Sequence, residues 1–204
     1  MISIVDYGLG NVQAFLNVFK RLNVEATTVT TADDLERATK VILPGVGHFD
    51  HAMERLQGSG MRETLDDLVM NRRVPVLGVC VGMQILARSS DEGELPGLGY
   101  IAGSVKGLAT IEAVKSLNLP HMGWNDVRPT EHSRLFAELE SDSRFYFLHS
   151  FFFECDRPQD VAAMTSYGTD FSSAVSSGNI YGVQFHPEKS HHFGTRLLKN
   201  FADL

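Results

Sequence analysis

Two short stretches of this 204-residue chain carry residue types that can do covalent chemistry together. The first is Gly78-Val79-Cys80-Val81-Gly82, entered from the apolar run Val74-Pro75-Val76-Leu77 and left through Met83-Gln84-Ile85-Leu86. The G-x-Cys-x-G spacing is that of a strand-to-helix elbow, with sulfur as the nucleophile. Glycines flank the cysteine because a Cβ on either side of so tight a turn would clash. The turn lifts the side chain off the sheet to a helix N-terminus, where the dipole favours thiolate over thiol. The second stretch is Gly182-Val183-Gln184-Phe185-His186-Pro187-Glu188-Lys189-Ser190. A catalytic thiol needs a base that takes its proton and later hands it to a leaving amine, and imidazole titrates in the right range. The base needs a carboxylate to fix its tautomer and stabilise the imidazolium. Pro187 can bend the chain so that His186 and Glu188 point together. Cys80, His186 and Glu188 are the candidate triad.

Such a triad needs elements to hold it. Ile2 to Val5, Ala26 to Val29, Lys40 to Leu43 and Val74 to Val79 read as short buried strands. Between them, Val12 to Leu22, Phe49 to Leu56 and Met61 to Met70 show helical spacing. Thr31 or Asp33 can cap a further short helix. Val81 to Ala87 is the helix leaving the elbow. Apolar strands alternating with helices argue for a parallel sheet covered on both faces. From Tyr100 onward strand signals crowd together: Ile101 to Val105, His121 to Val127, Phe145 to His149, Val161 to Ser166 and Ile180 to Phe185. Phe193 to Phe201 closes the chain as a helix. The expectation is one domain over residues 1–204, α/β, with a mixed, mostly parallel central sheet and an antiparallel portion. Ser89 to Gly97, polar and glycine-bearing, is the expected flexible loop. Pro44-Gly45-Val46-Gly47 falls at the C-terminal end of a parallel strand, the edge where ligands gather in open α/β sheets. There the Val46 N–H can meet a developing oxyanion, with the Val81 N–H as second donor.

Composition narrows the class. Hydrophobic residues make up 43% and charged residues 21%, ordinary for a globular protein. The net charge of −7 and the lack of a dense Lys/Arg run argue against nucleic acid as a partner. No apolar run reaches the ~18 residues of a membrane span, and the N-terminus lacks the pattern of a signal peptide. Two cysteines, Cys80 and Cys155, do not make a disulfide framework, so a reducing cytoplasm is expected.

Gly-Val-Cys-Val-Gly-Met-Gln, Pro-Gly-Val-Gly and Gln-Phe-His-Pro-Glu-Lys-Ser, in that chemistry and over essentially the whole chain, resemble the class I (triad) glutamine amidotransferases. The Pro-Gly-Val-Gly-His-Phe run, Pro120-His121-Met122-Gly123-Trp124-Asn125 and Glu188-Lys189-Ser190 resemble its branch of glutaminase subunits of imidazole glycerol phosphate synthases. The resemblance implies a three-layer, flavodoxin-like fold. It implies that Cys80 attacks the side-chain amide of L-glutamine, that His186 protonates the leaving ammonia, and that water then releases glutamate from a γ-glutamyl thioester. It implies no cofactor, and a (βα)8-barrel synthase partner through whose core the ammonia passes. Gly45, Gly47, Gln84, Glu92, His149 and Ser150 would form the glutamine pocket. Asn11, Met122, Trp124, Asn125 and Lys189 would meet the partner. The chain departs from the family pattern at Val81 (usually leucine), at Leu9 (often proline before Gly-Asn) and at Phe151-Phe152-Phe153, where tyrosine is usual. The Asp-Tyr-Gly-Leu-Gly-Asn opening also resembles paralogues that supply ammonia for amidating a nucleotide sugar.

Other residues read more plainly. Cys155 has no catalytic context. His191 and His192 are adjacent and face different directions on a helix, and His48 and His51 lack a further ligand, so no metal is expected. His121 fits a core or an interface position equally. The two Phe-rich clusters read as strand core. A stand-alone cysteine hydrolase of the same fold and a catalytically silent binding subunit are the competing functions.

Overall fold

The computed structural model describes residues 1–130, 133–139 and 143–204. The chain opens with strand β1 (Ile2–Val5), helix α1 (Val12–Arg21), β2 (Ala26–Val29), α2 (Ala32–Leu35), β3 (Lys40–Gly45), α3 (Phe49–Gly58) and α4 (Arg62–Asp66). Next come β4 (Val76–Cys80), the single-turn helix α5 (Val81–Gln84), and strands β5 (Ser89–Ser90) and β6 (Gly103–Gly107). The second half is built from β7 (His121–Asp126), β8 (Arg128–Pro129), β9 (Arg144–His149), β10 (Phe151–Cys155), β11 (Val161–Ser166), β12 (Asp170–Ser177) and β13 (Ile180–Val183), and ends in α6 (His191–Asp203).

The main sheet runs β2-β1-β3-β4-β13-β12-β10-β6-β5, with β11 and β8 paired outward from β12. Its first five strands are parallel, and β13 to β6 alternate in direction. Helix α1 packs on α6, α2 on α4 and α3 on α5. Of the parallel strands, β1, β3, β4 and β13 are almost wholly buried, as strands covered on both faces must be, while the edge strand β2, with Thr27 and Thr28, is half-buried. A separate antiparallel ribbon, β7 with β9, stands beside the main sheet.

Several local expectations shift. Thr31 caps α2, accepting from the Asp34 N–H. The Met61–Met70 helix is α4 continued by a π turn over Asp67–Asn71. Strand β12 had no sequence signal, because Asp-Phe-Ser-Ser-Ala-Val-Ser-Ser lacks a strand composition; its Ser172 and Ser173 are buried because neighbouring strands cover them. The Ser89–Gly97 loop is tied down rather than free. β5 pairs with β6, and the Asp50 carboxylate accepts from the Glu94 and Leu95 N–H groups.

Candidate active site

Cys80 ends β4 and precedes α5 with φ 56° and ψ −115°, a left-handed conformation uncommon for a non-glycine residue. The glycines around it are required by contact. A Cβ on Gly78 would sit 2.5 Å from the Gly82 carbonyl oxygen, and one on Gly82 would sit on the Leu43 carbonyl of β3. The elbow is thus wedged against the neighbouring strand, which holds the sulfur above the sheet. The helix beyond it is one turn rather than the seven residues expected, so its dipole is small. His186 is the nearer positive group.

His186 is placed by backbone. Its N–H donates to the Tyr146 carbonyl of β9 at 2.8 Å. Ser190 Oγ donates to the His186 carbonyl at 2.6 Å and accepts from the Tyr146 N–H at 3.0 Å, locking the His-Pro-Glu turn to β9. Glu188 Oε1 lies 2.9 Å from His186 Nδ1, and both side chains are almost fully buried. Burial disfavours the imidazolium, but hydrogen bonds to Cys80 and Glu188 and the charges of both outweigh it and push His186 up to about 9. At neutral pH the imidazole is therefore protonated, with Nδ1–H donating to Glu188 and the other nitrogen serving Cys80.

A cavity of about 240 Å³ opens above the sulfur. Val46, Gly47, Cys80, Val81, Gln84 and Glu92 line it together with Pro120, Leu148, His149, Ser150, Phe151 and His186. Val81 is the first helical residue, so its N–H has no acceptor within the helix. Gly47 turns the adjoining loop with φ +91°. The Tyr7 hydroxyl, buried and pushed up by desolvation, keeps its proton and donates to the Pro44 carbonyl at 2.6 Å, anchoring the same loop. Gly45 lies beneath the cavity rather than in its wall. It pairs with Cys80 and lets β3 approach the Gly82 backbone.

Gln84 donates both amide hydrogens inward, to the Phe151 carbonyl and to Gln184 Oε1, each at 3.1 Å. Only its carbonyl oxygen remains, so Gln84 can offer a ligand an acceptor alone. Glu92 Oε2 accepts from the Phe49 N–H at 2.9 Å, which fixes a carboxylate in the wall. His149 lies in the wall, but both ring nitrogens are taken, by His121 and by the Phe151 carbonyl. It shapes the cavity without a free polar atom, unlike the glutamine contact implied by resemblance. Sequence reading passed over Tyr7, Gln184 and Ser190. Gln184 and Ser190 stand within the Gln-Phe-His-Pro-Glu-Lys-Ser run, but their full burial is set by the fold and leaves no mark on the sequence.

Beside the cavity the β7–β9 ribbon shows an apolar outer face. Met122 pairs across strands with Leu148 and Trp124 with Tyr146. Met122 is 65% exposed, and Trp124 and Leu148 38% each. Trp124 stacks on His191 with centroids 5.0 Å apart, and Lys189 Nζ lies over the Tyr146 ring. Asn11, also implied as a partner contact, caps α1 by accepting from the Ala14 N–H.

A family model described as glutamine amidotransferase class-I matches residues 3–204. The chain is 61% identical to "Imidazole glycerol phosphate synthase subunit HisH" of Bdellovibrio bacteriovorus and 52% identical to the protein of that name from Leptospira borgpetersenii, each over 100% of both chains. The chain belongs to the class I glutamine amidotransferase family, in its HisH group. A "HisH 2" of Pseudomonas aeruginosa is 44% identical, again over 100% of both chains. A solved "glutamine amidotransferase" matches in fold, with TM-score 0.76, 21% identity and 100% and 99% of the two chains covered. The fold expected from the resemblance is thus the one this chain has. Among the described residues no three His, Cys, Asp or Glu side chains group to hold a metal, and no helix is long and apolar enough to cross a membrane. Cys155, half-buried, has its thiol pushed up to about 12 by burial and by Asp160, so it stays protonated.

Proposed function

We propose that this chain is the glutaminase subunit of an imidazole glycerol phosphate synthase, cleaving L-glutamine and passing the ammonia to a (βα)8-barrel partner in histidine biosynthesis. The observation that carries the reading is one cavity that joins Cys80 and the His186–Glu188 pair to the acceptors Gln84 and Glu92 and lies beside an exposed apolar face. The Cys80 sulfur attacks the side-chain amide carbon of glutamine. The Val81 and Val46 N–H groups take the oxyanion. Imidazolium His186 protonates the amide nitrogen, the carbon–nitrogen bond breaks, and ammonia leaves with a γ-glutamyl thioester on Cys80. His186, now neutral, removes a proton from water as it attacks the thioester, the carbon–sulfur bond breaks, and glutamate departs with its carboxyl proton lost to solvent, leaving the Cys80 thiolate beside imidazolium His186. Glu92 receives the substrate's α-ammonium group, and Gln84 accepts a hydrogen bond from it.

Met122, Trp124, Leu148 and Lys189 form the docking face, with Asn11 and Asn125 at its margins. An exposed Trp and Met side by side, beside an active site, fit the anchor of a protein interface. Ammonia is mostly ammonium at pH 7 and then a poor nucleophile, so delivery through a dry partner core has chemical value. The reaction belongs to the cytoplasm, where the thiols stay reduced.

The test is glutamate release from glutamine, alone and with the barrel subunit, for wild type and Cys80→Ala. Activity that rises sharply with the barrel and vanishes in the variant is expected. High activity without the barrel would make the chain a stand-alone hydrolase, and none in either case a silent subunit. Coupling to a nucleotide-sugar amidation, rather than to an imidazole precursor, would move the ammonia to the paralogous pathway.

A further inference from the structure

Two hydrogen-bonded runs, one from the ribbon that carries the exposed face and one from the Cys80 sulfur, meet at the Phe151 carbonyl. Asn125 Nδ2 donates to the Ser166 carbonyl at 3.0 Å and lies 3.1 Å from His121 Nε2, while its Oδ1 accepts from the Asp126 N–H. A carbonyl only accepts, so the amide orientation is fixed and His121 Nε2 must accept. His121 therefore carries its proton on Nδ1, 2.9 Å from His149 Nε2. That nitrogen accepts, and His149 Nδ1–H donates to the Phe151 carbonyl at 2.8 Å. The same carbonyl takes one N–H of Gln84, whose other N–H goes to Gln184 Oε1. This turns the Gln184 nitrogen toward Cys80 Sγ, 3.9 Å away.

The parts are rigid as well as directional. His121 is clamped between Phe147 and Tyr167, with centroids at 4.8 and 4.1 Å and nearly parallel planes. Gln184 is fully buried. Burial holds His121 down at about 4 and His149 at about 3, so both rings stay neutral and keep one donor and one acceptor. We propose that Asn125, His121, His149 and Gln184 are positioning residues: the first three fix the place of the Phe151 carbonyl from the strand that bears the exposed face, and that carbonyl, as the shared acceptor, places Gln84 and through it Gln184 at Cys80. The inference rests on the reading of Cys80 as nucleophile and Gln84 as a glutamine contact.

Asn125→Asp puts an acceptor where the chain has its terminal donor. His121 must then move its proton to Nε2, and its Nδ1 becomes an acceptor. His149 must donate from Nε2, so it loses its bond to the Phe151 carbonyl. In the full chain, 15N imidazole spectra should show Nδ1–H on both rings in wild type and Nε2–H on both in the variant. Alkylation of Cys80 by iodoacetamide, read by mass spectrometry so that Cys155 is counted apart, should slow about five-fold, the worth of one neutral hydrogen bond. Gln184→Met should slow it by about as much. The double variant should be no slower than the slower single one, because members of one network are not additive. Nε2–H on either ring in wild type would overturn the proposal, and this needs no variant to fold. So would an alkylation rate within about two-fold of wild type despite reversed tautomers, or single effects that multiply in the double variant. Absence of glutamate release by wild type with its barrel would instead overturn the glutaminase reading, and the spectra and alkylation rates would still judge the chain.

Discussion

Replacing Glu188 by glutamine tests the electrostatic centre of the site. The change keeps shape and an acceptor oxygen but removes the charge. In the structure the carboxylate is 2.9 Å from His186 Nδ1 and both side chains are nearly water-free, so solvent does little to screen the pair. A hydrogen bond to a charged group in such a place contributes about 1.5–3 kcal/mol. The imidazolium is the form that protonates departing ammonia, so that stabilisation is lost from acylation. The expected fall in kcat/KM is about 10- to 150-fold. The pH dependence carries an independent sign. His186 is pushed above its ordinary value to about 9, so the protonated form is present below that pH and disappears above it. The alkaline limb of kcat/KM should lie near pH 9 in wild type. In Glu188→Gln it should move to lower pH, because one of the two groups holding the proton has lost its charge. The assay is glutamate release with saturating barrel subunit from pH 6 to 10. A limb still near 9 with kcat/KM within about two-fold of wild type would refute the reasoning.

Glu92→Gln removes the cavity's fixed carboxylate and should raise KM for glutamine about ten-fold with kcat nearly unchanged, since the α-ammonium group is bound alike in ground and transition states; a fall confined to kcat would contradict the assignment. Gly82→Ala drives a Cβ into the Leu43 carbonyl and should destabilise the chain by about 3 kcal/mol or more, read from denaturant midpoints, and near-native stability would show that the elbow has slack. Trp124→Ala should weaken association with the barrel about 30-fold by calorimetry, as loss of an interface anchor does, whereas a Kd within about three-fold would place the docking face elsewhere. His121 and His149 are held below their ordinary 6.5, so unfolding takes up protons below that value and stability should fall as pH drops from 6.5 toward about 4. Denaturation midpoints that are flat between pH 7 and 5 would show that these rings do not stay neutral.

How far the site was legible depended on how local each constraint is. The elbow was readable because the spacing of glycines around Cys80 is local, although Gly82 answers to Leu43 of β3, and the His186–Glu188 pair because one proline sets its geometry. The parallel strands were readable from their apolar runs. Strand β12 was not, because burial of Ser172 and Ser173 comes from neighbouring strands and leaves no mark on composition. The roles of Gln184 and His149 were hidden for a related reason. Their partners lie 100 and 28 residues away, and a side chain's direction of donation depends on what it meets in three dimensions. Tyr7 likewise reaches Pro44 only because β1 and β3 are neighbours in the sheet.

The two-strand ribbon explains why docking and chemistry sit so close. Side chains alternate along a strand, so β9 turns Phe145, Phe147 and His149 inward and Tyr146 and Leu148 outward. Along β7, His121 faces in with Asn125 on its side, while Met122 and Trp124 face out. A partner pressing on the outer row therefore bears on the same backbone that carries His121 and His149 and, through Tyr146, the N–H and carbonyl contacts that hold Ser190 and His186. A shift of the ribbon cannot move the docking face alone. It must move the acceptor carbonyl of His186 and the first links of the chain to Cys80 together. With the proposed docking face, geometry of this kind would couple partner binding to glutamine cleavage with no separate device, given side chains that have two discrete hydrogen-bonded arrangements.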